Sequence, residues 1–216
     1  MHFHIITLFP GTFDSYFGES ILKRAIEDKK LKVSFYNPRD YAEDKWARVD
    51  RPPYAGGPGM VIQAEPVIKA VEAAIKKIKS KKYKIIFLSP SGKQFTNEYA
   101  KKTAKTYKDI IIISGRYEGI DARVKKVFKM EDVSVGPFVL TGGELPAMLM
   151  VDVISRQVPG ILGNFDSLEE SRTASPDVYT RPESFTYKGK KYSVPKVLLS
   201  GNHAKIEEWR RKKKGV

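Results

Sequence analysis

The 216-residue sequence contains no cysteine. Disulfide staples, thiol nucleophiles and cysteine-ligated metals are therefore excluded, and the composition is compatible with the cytosol. Histidine is scarce: His2, His4 and His203 are the only three. Their spacing suggests no metal site, and packing on a strand is the expected role of His2 and His4. No apolar run approaches the ~18 residues that a membrane span needs. Met1-His2-Phe3-His4 puts no positive charge ahead of apolar residues, so no secretory leader is expected. Common nucleotide signatures are missing too. Gly92-Lys93 is followed by Gln94 and lacks the upstream glycine of a Walker A loop. Gly57-Pro58-Gly59 would need a glycine at 62 for a dinucleotide fingerprint, and Ile62 stands there. No spacing supports a serine–histidine–acid triad.

What is abundant is positive charge. Lys and Arg number 39 against 25 Asp and Glu, giving +14 and a pI near 9.7. Such a surplus favours an anionic partner, with nucleic acid first. The charge is clustered in Lys76-Lys77-Ile78-Lys79-Ser80-Lys81-Lys82, at Lys101-Lys102 and Lys125-Lys126, from Lys188 to Lys191, and in Arg210-Arg211-Lys212-Lys213-Lys214. Lysines at helix ends also complement the helix dipole, so some of these need no ligand. The last run is the expected phosphate contact, with a frayed tail as the equal alternative.

At 41% hydrophobic the chain can bury a sizeable core, and its length fits one large domain with a small appendage. Residues 3–9 form a near-continuous apolar run, as expected of a strand buried on both faces. Further strands are expected at 31–36, 84–88, 109–114 and 132–135. Helices are expected at 13–29, 65–78, 96–105, 120–128 and 145–156, with Pro146 tolerated in a first turn. Alternating βα units predict an α/β fold with a mostly parallel sheet. Residues 37–60 form a long proline- and glycine-rich loop, of a length that usually serves function. After Pro159-Gly160 the sequence turns polar and aperiodic. Residues 161–178 are expected to be a linker, and 179–216 a small, mainly helical terminal domain closed by a helix at 202–211.

Two glycine-bearing segments follow apolar strands and lead into helices: Ser114-Gly115-Arg116-Tyr117-Glu118-Gly119-Ile120-Asp121, and residues 134–146, which include Val135-Gly136-Pro137-Phe138-Val139-Leu140-Thr141-Gly142-Gly143-Glu144-Leu145-Pro146. Glycine there allows positive φ and a close approach of backbone to a ligand. Together they predict one pocket, walled by backbone, at the carboxyl ends of neighbouring strands.

With Tyr54-Ala55-Gly56-Gly57-Pro58-Gly59-Met60, Leu88-Ser89-Pro90, Tyr179-Thr180-Arg181-Pro182 and Leu198-Leu199-Ser200-Gly201-Asn202-His203, these segments form an ordered set. The set resembles the bacterial tRNA (guanine-N1)-methyltransferases, a SPOUT-class family, from the first strand to the last helix. The resemblance implies a deep trefoil knot in residues 1–160, a rare exception to unknotted connections. It implies S-adenosylmethionine as methyl donor, the guanine 3′ of the tRNA anticodon as target, and a homodimer in the cytoplasm with sites built at its interface. Phe87, Leu88, Ser89 and Pro90 would form one donor-site wall. Gly115, Tyr117, Glu118 and Gly119 would form a second, and Val135, Gly136, Phe138, Leu140, Gly142, Gly143 and Pro146 a third. Valine at Gly142 or Gly143 is then expected to fill the adenosine site and abolish donor binding in a folded protein. Gly59 would meet the target base, and Asn202 and His203 would contact tRNA.

Arg156 matches the family's catalytic arginine. The general base is an aspartate in a linker Asp-Ser pair, and here Glu170-Ser171 is the best match with a one-residue gap; Glu169 is the runner-up, with Asp166 and Asp177 behind. The linker from Ser171 to Tyr179 is shorter than usual, and Pro137 and Phe138 stand where the family usually has aspartate and tyrosine. The resemblance also implies Mg²⁺ dependence, for which the sequence offers no ligand set. Two other classes compete: a basic RNA-binding module without a donor, and a knotted methyltransferase acting on ribose 2′-OH or rRNA, which would lack the two terminal motifs.

Overall fold

The computed structural model describes residues 1–162 and 177–213. The chain divides into two compact units, Met1–Gly163 and Asn164–Val216.

The first unit is built on a five-stranded sheet in which every pairing is parallel. Its strands are β1 (His2–Ile6), β2 (Lys32–Tyr36), β5 (Tyr83–Gln94), β6 (Asp109–Ile113) and β7 (Glu131–Ser134), in the order β2-β1-β6-β5-β7. Strand alternation explains the isoleucine run of β6. Ile110 and Ile112 join Phe3, Ile5, Ile86 and Val133 on one face, under Ala147, Met150, Val151 and Ile154 of helix α6 (Glu144–Arg156). Ile111 and Ile113 join Ile6, Ile85 and Phe87 on the other, against Val67, Ala70, Val71 and Ala74 of α3 (Ala64–Lys77). The result is a three-layer α/β sandwich, and among the described residues no helix is long and apolar enough to cross a membrane.

Several boundaries differ from expectation. The helix expected at 13–29 is broken into α1 (Asp14–Phe17) and α2 (Ser20–Glu27). The carbonyl oxygen of Asp14 lies 2.5 Å from where a Gly18 Cβ would sit, and Ser20 has φ +52°, so the chain turns sharply between them. The strand expected at 84–88 runs on to Gln94. Leu88 and Lys93 both face Val133 on β7, so residues 89–92 bulge out between them. The long loop carries a two-residue strand β3 (Asp50–Arg51), paired antiparallel with β4 (Val61–Ile62). The helix expected at 120–128 shrinks to α5 (Val124–Val127).

The second unit, where described, holds a hairpin of β8 (Ser184–Tyr187) and β9 (Lys190–Ser193), then helices α7 (Lys196–Leu199) and α8 (His203–Lys213). The hairpin is an addition to the expected helical domain. Its two-residue turn puts both Lys188 and Gly189 at positive φ, the geometry that matches strand twist. Phe185 and Tyr192 stack across it, and Trp209 of α8 meets Tyr179 edge-on.

His2 and His4 pack as strand residues at the amino end of the sheet. His4 is fully buried, with Nδ1 3.0 Å from the Tyr36 hydroxyl and Nε2 3.3 Å from Asp109 Oδ1. Burial pushes His2 down to about 4, helped by His4 and Lys32 and opposed by Asp109. Burial also lowers His4, against its bond to Asp109. Lys32 from β2 faces both rings, and the terminal ammonium faces His2. In the unfolded chain both titrate near ~6.5. The unfolded state therefore binds more protons between the two values, and stability falls as pH drops from about 6.5 toward 4. The expected result is a melting temperature in chelating buffer that declines through this window, with His2→Asn flattening the decline. Parallel melting curves for the two proteins from pH 7 to 4 would contradict it.

Candidate active site

The glycine loops predicted from sequence converge. The amide of Gly143 donates to the Gly115 carbonyl at 2.8 Å, and Arg116 and Gly142 form an isolated antiparallel bridge. Ser114 Oγ donates to the Gly143 carbonyl at 3.1 Å. β6 and β7 are not neighbours, however; β5 lies between them, and its bulge supplies a third wall. The cleft between the walls has a volume of ≈ 290 Å³ and lies open at the carboxyl ends of the three strands.

Leu88, Ser89, Pro90, Gly115, Tyr117, Glu118, Gly119, Val135, Gly136, Phe138, Leu140, Gly142, Gly143 and Pro146 all line it. Phe87 does not. It precedes Leu88 on a strand, so it points to the opposite face, where it packs in the α3 layer beneath the Lys125 ammonium. Arg116, Val133, Ser134, Val139 and Thr141 complete the lining. The walls suit an adenosine-sized ligand: apolar side chains of Leu88, Val135, Phe138, Leu140 and Pro146, and open space at Gly119, which has φ +119°.

Glycine is needed at 142 and 143 for a different reason from the one expected. A Cβ on Gly143 would lie 2.6 Å from Ser114 Cα and 2.9 Å from the Gly115 amide nitrogen. A Cβ on Gly142 would lie 2.4 Å from Arg116 Nε. The Gly143 vector meets backbone of the neighbouring loop, so a side chain there pushes the loops apart, whereas the Gly142 vector meets the Arg116 side chain and the Glu144 carboxylate, so a side chain there strains that ion pair. Gly92, to which no role was given from sequence, has the same character. Its missing Cβ would lie 2.5 Å from the β7 backbone at Asp132 and Val133, and this close approach closes the β5 bulge.

A buried polar lock, also unforeseen, holds the loops to the sheet. Glu144, only 2% exposed, accepts from Thr7 Oγ1 at 2.9 Å and from Arg116 Nε at 2.8 Å. Arg116 reaches the Thr141 carbonyl at 3.4 Å, and its guanidinium lies over the Phe9 ring at 4.7 Å. A carboxylate in the first turn of α6 also suits the helix dipole. The available signal was an acid set among glycines and apolar residues at a helix start.

Other site residues lie apart from the cavity floor. Gly59, with φ +82°, abuts Glu118: a Cβ there would sit 2.6 Å from the carboxylate. The neighbouring Met60 carbonyl accepts from the Glu118 amide at 3.0 Å, so the 54–60 loop rests on the second wall. Tyr117 sits at φ +58°, costly for a residue with a side chain. Arg156 ends α6, twelve residues beyond Glu144, or about 18 Å along the axis from the cavity end of the helix. In the second unit Asn202 Oδ1 accepts from the Lys205 amide at 3.1 Å and so caps the start of α8; His203 and Asp177 are exposed. Glu170, Glu169, Ser171, Asp166 and Lys214 lie outside the described residues.

Among the described residues one group offers three potential metal ligands together: His2, His4 and Asp109, at the far end of the sheet. Two nitrogen donors do not suit Mg²⁺, which takes oxygen. The sequence spacing had not suggested this group, because Asp109 arrives from another strand.

Fold and cavity together define an α/β protein with a cavity at the carboxyl ends of parallel strands, on a strongly basic chain. The family described as tRNA (Guanine-1)-methyltransferase TrmD matches residues 1–215. The chain is 46% identical over 217 residues to the tRNA (guanine-N(1)-)-methyltransferase of Citrifermentans bemidjiense, covering 98% of this chain and 84% of that protein. It is 44% identical over 215 residues to that of Clostridioides difficile, covering 98% and 91%. The chain belongs to the tRNA (guanine-1)-methyltransferase family.

Proposed function

We propose that this protein transfers a methyl group from S-adenosylmethionine to N1 of the guanine immediately 3′ of the tRNA anticodon. The observation that carries the reading is the gathering around one cavity of nearly all the residues that the family resemblance assigns to the donor. When bound there, S-adenosylmethionine supplies an electrophilic methyl on a sulfonium. The chain's own residues do the rest. Apolar walls and glycine-loop backbone hold and orient the adenosine. Guanine N1 carries a proton and is a poor nucleophile until it leaves. Glu170 accepts that proton as general base while the N1–methyl bond forms and the sulfur–methyl bond breaks. As the proton leaves, and until the N1–methyl bond is complete, negative charge develops across N1 and O6, and the guanidinium of Arg156 stabilises it at O6.

The position of Arg156 favours a shared site. It lies a helix length from the cavity end of α6, so a second copy bringing its own Arg156 and linker satisfies the chemistry. Leu145 and Leu149 stand exposed one turn apart on α6, and Val139 is 82% exposed at the cavity rim, which suits burial against a partner. The reading thus includes a homodimer, a trefoil knot formed where the chain passes through the cavity loops, and a cytoplasmic setting where tRNA is found. Residues 179–216, with Asn202, His203 and the basic run from Arg210, form the tRNA-binding part, and Gly59 meets the target base.

The test is methyl transfer to tRNA transcripts carrying guanine or adenine after the anticodon. Transfer to the guanine transcript alone is expected, with thermal stabilisation by S-adenosylhomocysteine. Stabilisation by RNA but not by S-adenosylhomocysteine, without transfer, would favour the RNA-binding module. Full activity from a monomer in light scattering would overturn the shared site. Neutralising Arg210, Arg211, Lys212, Lys213 and Lys214 together is expected to weaken tRNA binding and flatten its salt dependence, leaving donor affinity unchanged. Unaltered tRNA affinity and salt slope would remove the run from the interface.

A further inference from the structure

The amino end of the sheet carries a constellation that the methyl-transfer reading does not use. His2 Nδ1 lies 3.7 Å and His4 Nε2 lies 3.3 Å from the same oxygen, Asp109 Oδ1, and the three ligand atoms fall within 4.8 Å of one another. In tetrahedral zinc sites with metal–nitrogen bonds of about 2.0–2.1 Å, ligand atoms are separated by roughly 3.3–3.5 Å. The two measured edges bracket that spacing.

The rings are also oriented for the task. Each imidazole turns one nitrogen toward Asp109 and has the other held by a hydroxyl from β2: His4 Nδ1 by Tyr36 at 3.0 Å, and His2 Nε2 by Ser34 at 2.9 Å. Such outer contacts fix the tautomer and aim the remaining nitrogen at a metal. Register makes the cluster. β1 supplies both rings from one face, β6 brings Asp109 beside His2, and β2 brings Ser34 beside His4. His2 and Asp109 keep side-chain exposures of 18% and 17%, which leaves an approach for the ion and a fourth ligand.

We propose that His2 Nδ1, His4 Nε2 and Asp109 Oδ1 bind a divalent transition metal of the zinc class, clamping β1 to β6 at the end of the sheet opposite the cavity. The surrounding charge narrows the choice. Lys32, Lys108 and the terminal ammonium lie close by and oppose a hard cation held by charge alone. Two imidazoles and one carboxylate suit zinc, and cobalt in its place, over Mg²⁺ or Ca²⁺.

The experiment uses the untagged full-length protein, stripped with a chelator and titrated with ZnCl₂, CoCl₂ and MgCl₂. One zinc per chain is expected, with a raised melting temperature, visible absorption of tetrahedral cobalt, and no response to magnesium. His2→Asn and Asp109→Asn should each weaken zinc binding at least tenfold, and Tyr36→Phe by about 10–100-fold, the usual effect of losing an outer contact. His203→Asn should leave zinc binding unchanged. His4 is so deeply buried that its replacement could unfold the chain, so the His2 and Asp109 variants carry the test. The proposal is overturned if the parent protein takes up no stoichiometric zinc at micromolar concentration, or if uptake survives unchanged in both His2→Asn and Asp109→Asn. Uptake lost on His203→Asn would equally overturn it.

Discussion

Glu144→Ala is expected to destabilise the protein by about 3–5 kcal/mol, the usual result of leaving one partner of a buried ion pair alone. In a chain of this size that is a fall in melting temperature of roughly 6–20 °C. Donor affinity should drop at least tenfold in whatever remains folded. The reason is geometric. Glu144 is the single acceptor joining Thr7 at the end of β1 to Arg116 on one loop, from its place at the end of the other loop. Its loss leaves the buried Thr7 hydroxyl, which still accepts from the Phe9 amide, without an acceptor for its own proton, and the 26%-exposed Arg116 side chain without its carboxylate. Arg116 lines the cavity, so its release alters the wall directly. Glu144→Gln keeps one carbonyl acceptor for Arg116 Nε and loses the acceptor for Thr7, so it should cost less than alanine but more than nothing. A double change, Arg116→Met with Glu144→Gln, should recover part of the stability lost by Arg116→Met alone, because the pair acts as a unit. A Glu144→Ala protein that melts within a degree or two of the parent and binds donor normally would show that the loops are held by their backbone bonds.

This lock marks a boundary between what local sequence patterns reveal and what they do not. The isoleucine run of β6 was legible because burial on both faces of a parallel strand demands continuous apolar sequence. The cavity was legible because glycines after strands mark close backbone approach, and both loops do line it. Partnerships across long sequence separations were not. Thr7 and Glu144 are 137 positions apart, and His4 and Asp109 are 105 apart; nothing local to either member signals the other. Gly92 looked like part of a failed phosphate motif, whereas its role is set by the backbone of β7 across the bulge. The β8–β9 hairpin was missed because Lys188 occupies a positive-φ turn position that Asn or Asp usually marks. The reason for Gly142 and Gly143 was misread in the same way: the sequence shows that a side chain is excluded, and only the fold shows by what.

Glu170→Gln is expected to leave donor binding intact and to lower methyl transfer by about two to four orders of magnitude, the usual contribution of a positioned base. Glutamine keeps the shape and hydrogen-bonding reach of glutamate but cannot accept the N1 proton. The extra methylene of glutamate, relative to the aspartate of the family pattern, requires only a small adjustment in the linker. Glu169→Gln should have little effect. Raising the pH should partly rescue Glu170→Gln, because more guanine N1 is then already deprotonated and needs no base. A variant impaired through misfolding would show no such rescue and would lose stabilisation by S-adenosylhomocysteine as well. Arg156→Lys should also be slow, since a point charge does not reproduce a planar guanidinium fork at O6, but it should show no comparable rescue by pH. The two substitutions therefore separate proton removal from charge stabilisation in one assay. If Glu169→Gln proves inactive and Glu170→Gln active, the base is one residue earlier in the linker. If both are active, the proton goes elsewhere, and Asp166 and Asp177 are the acids to replace next.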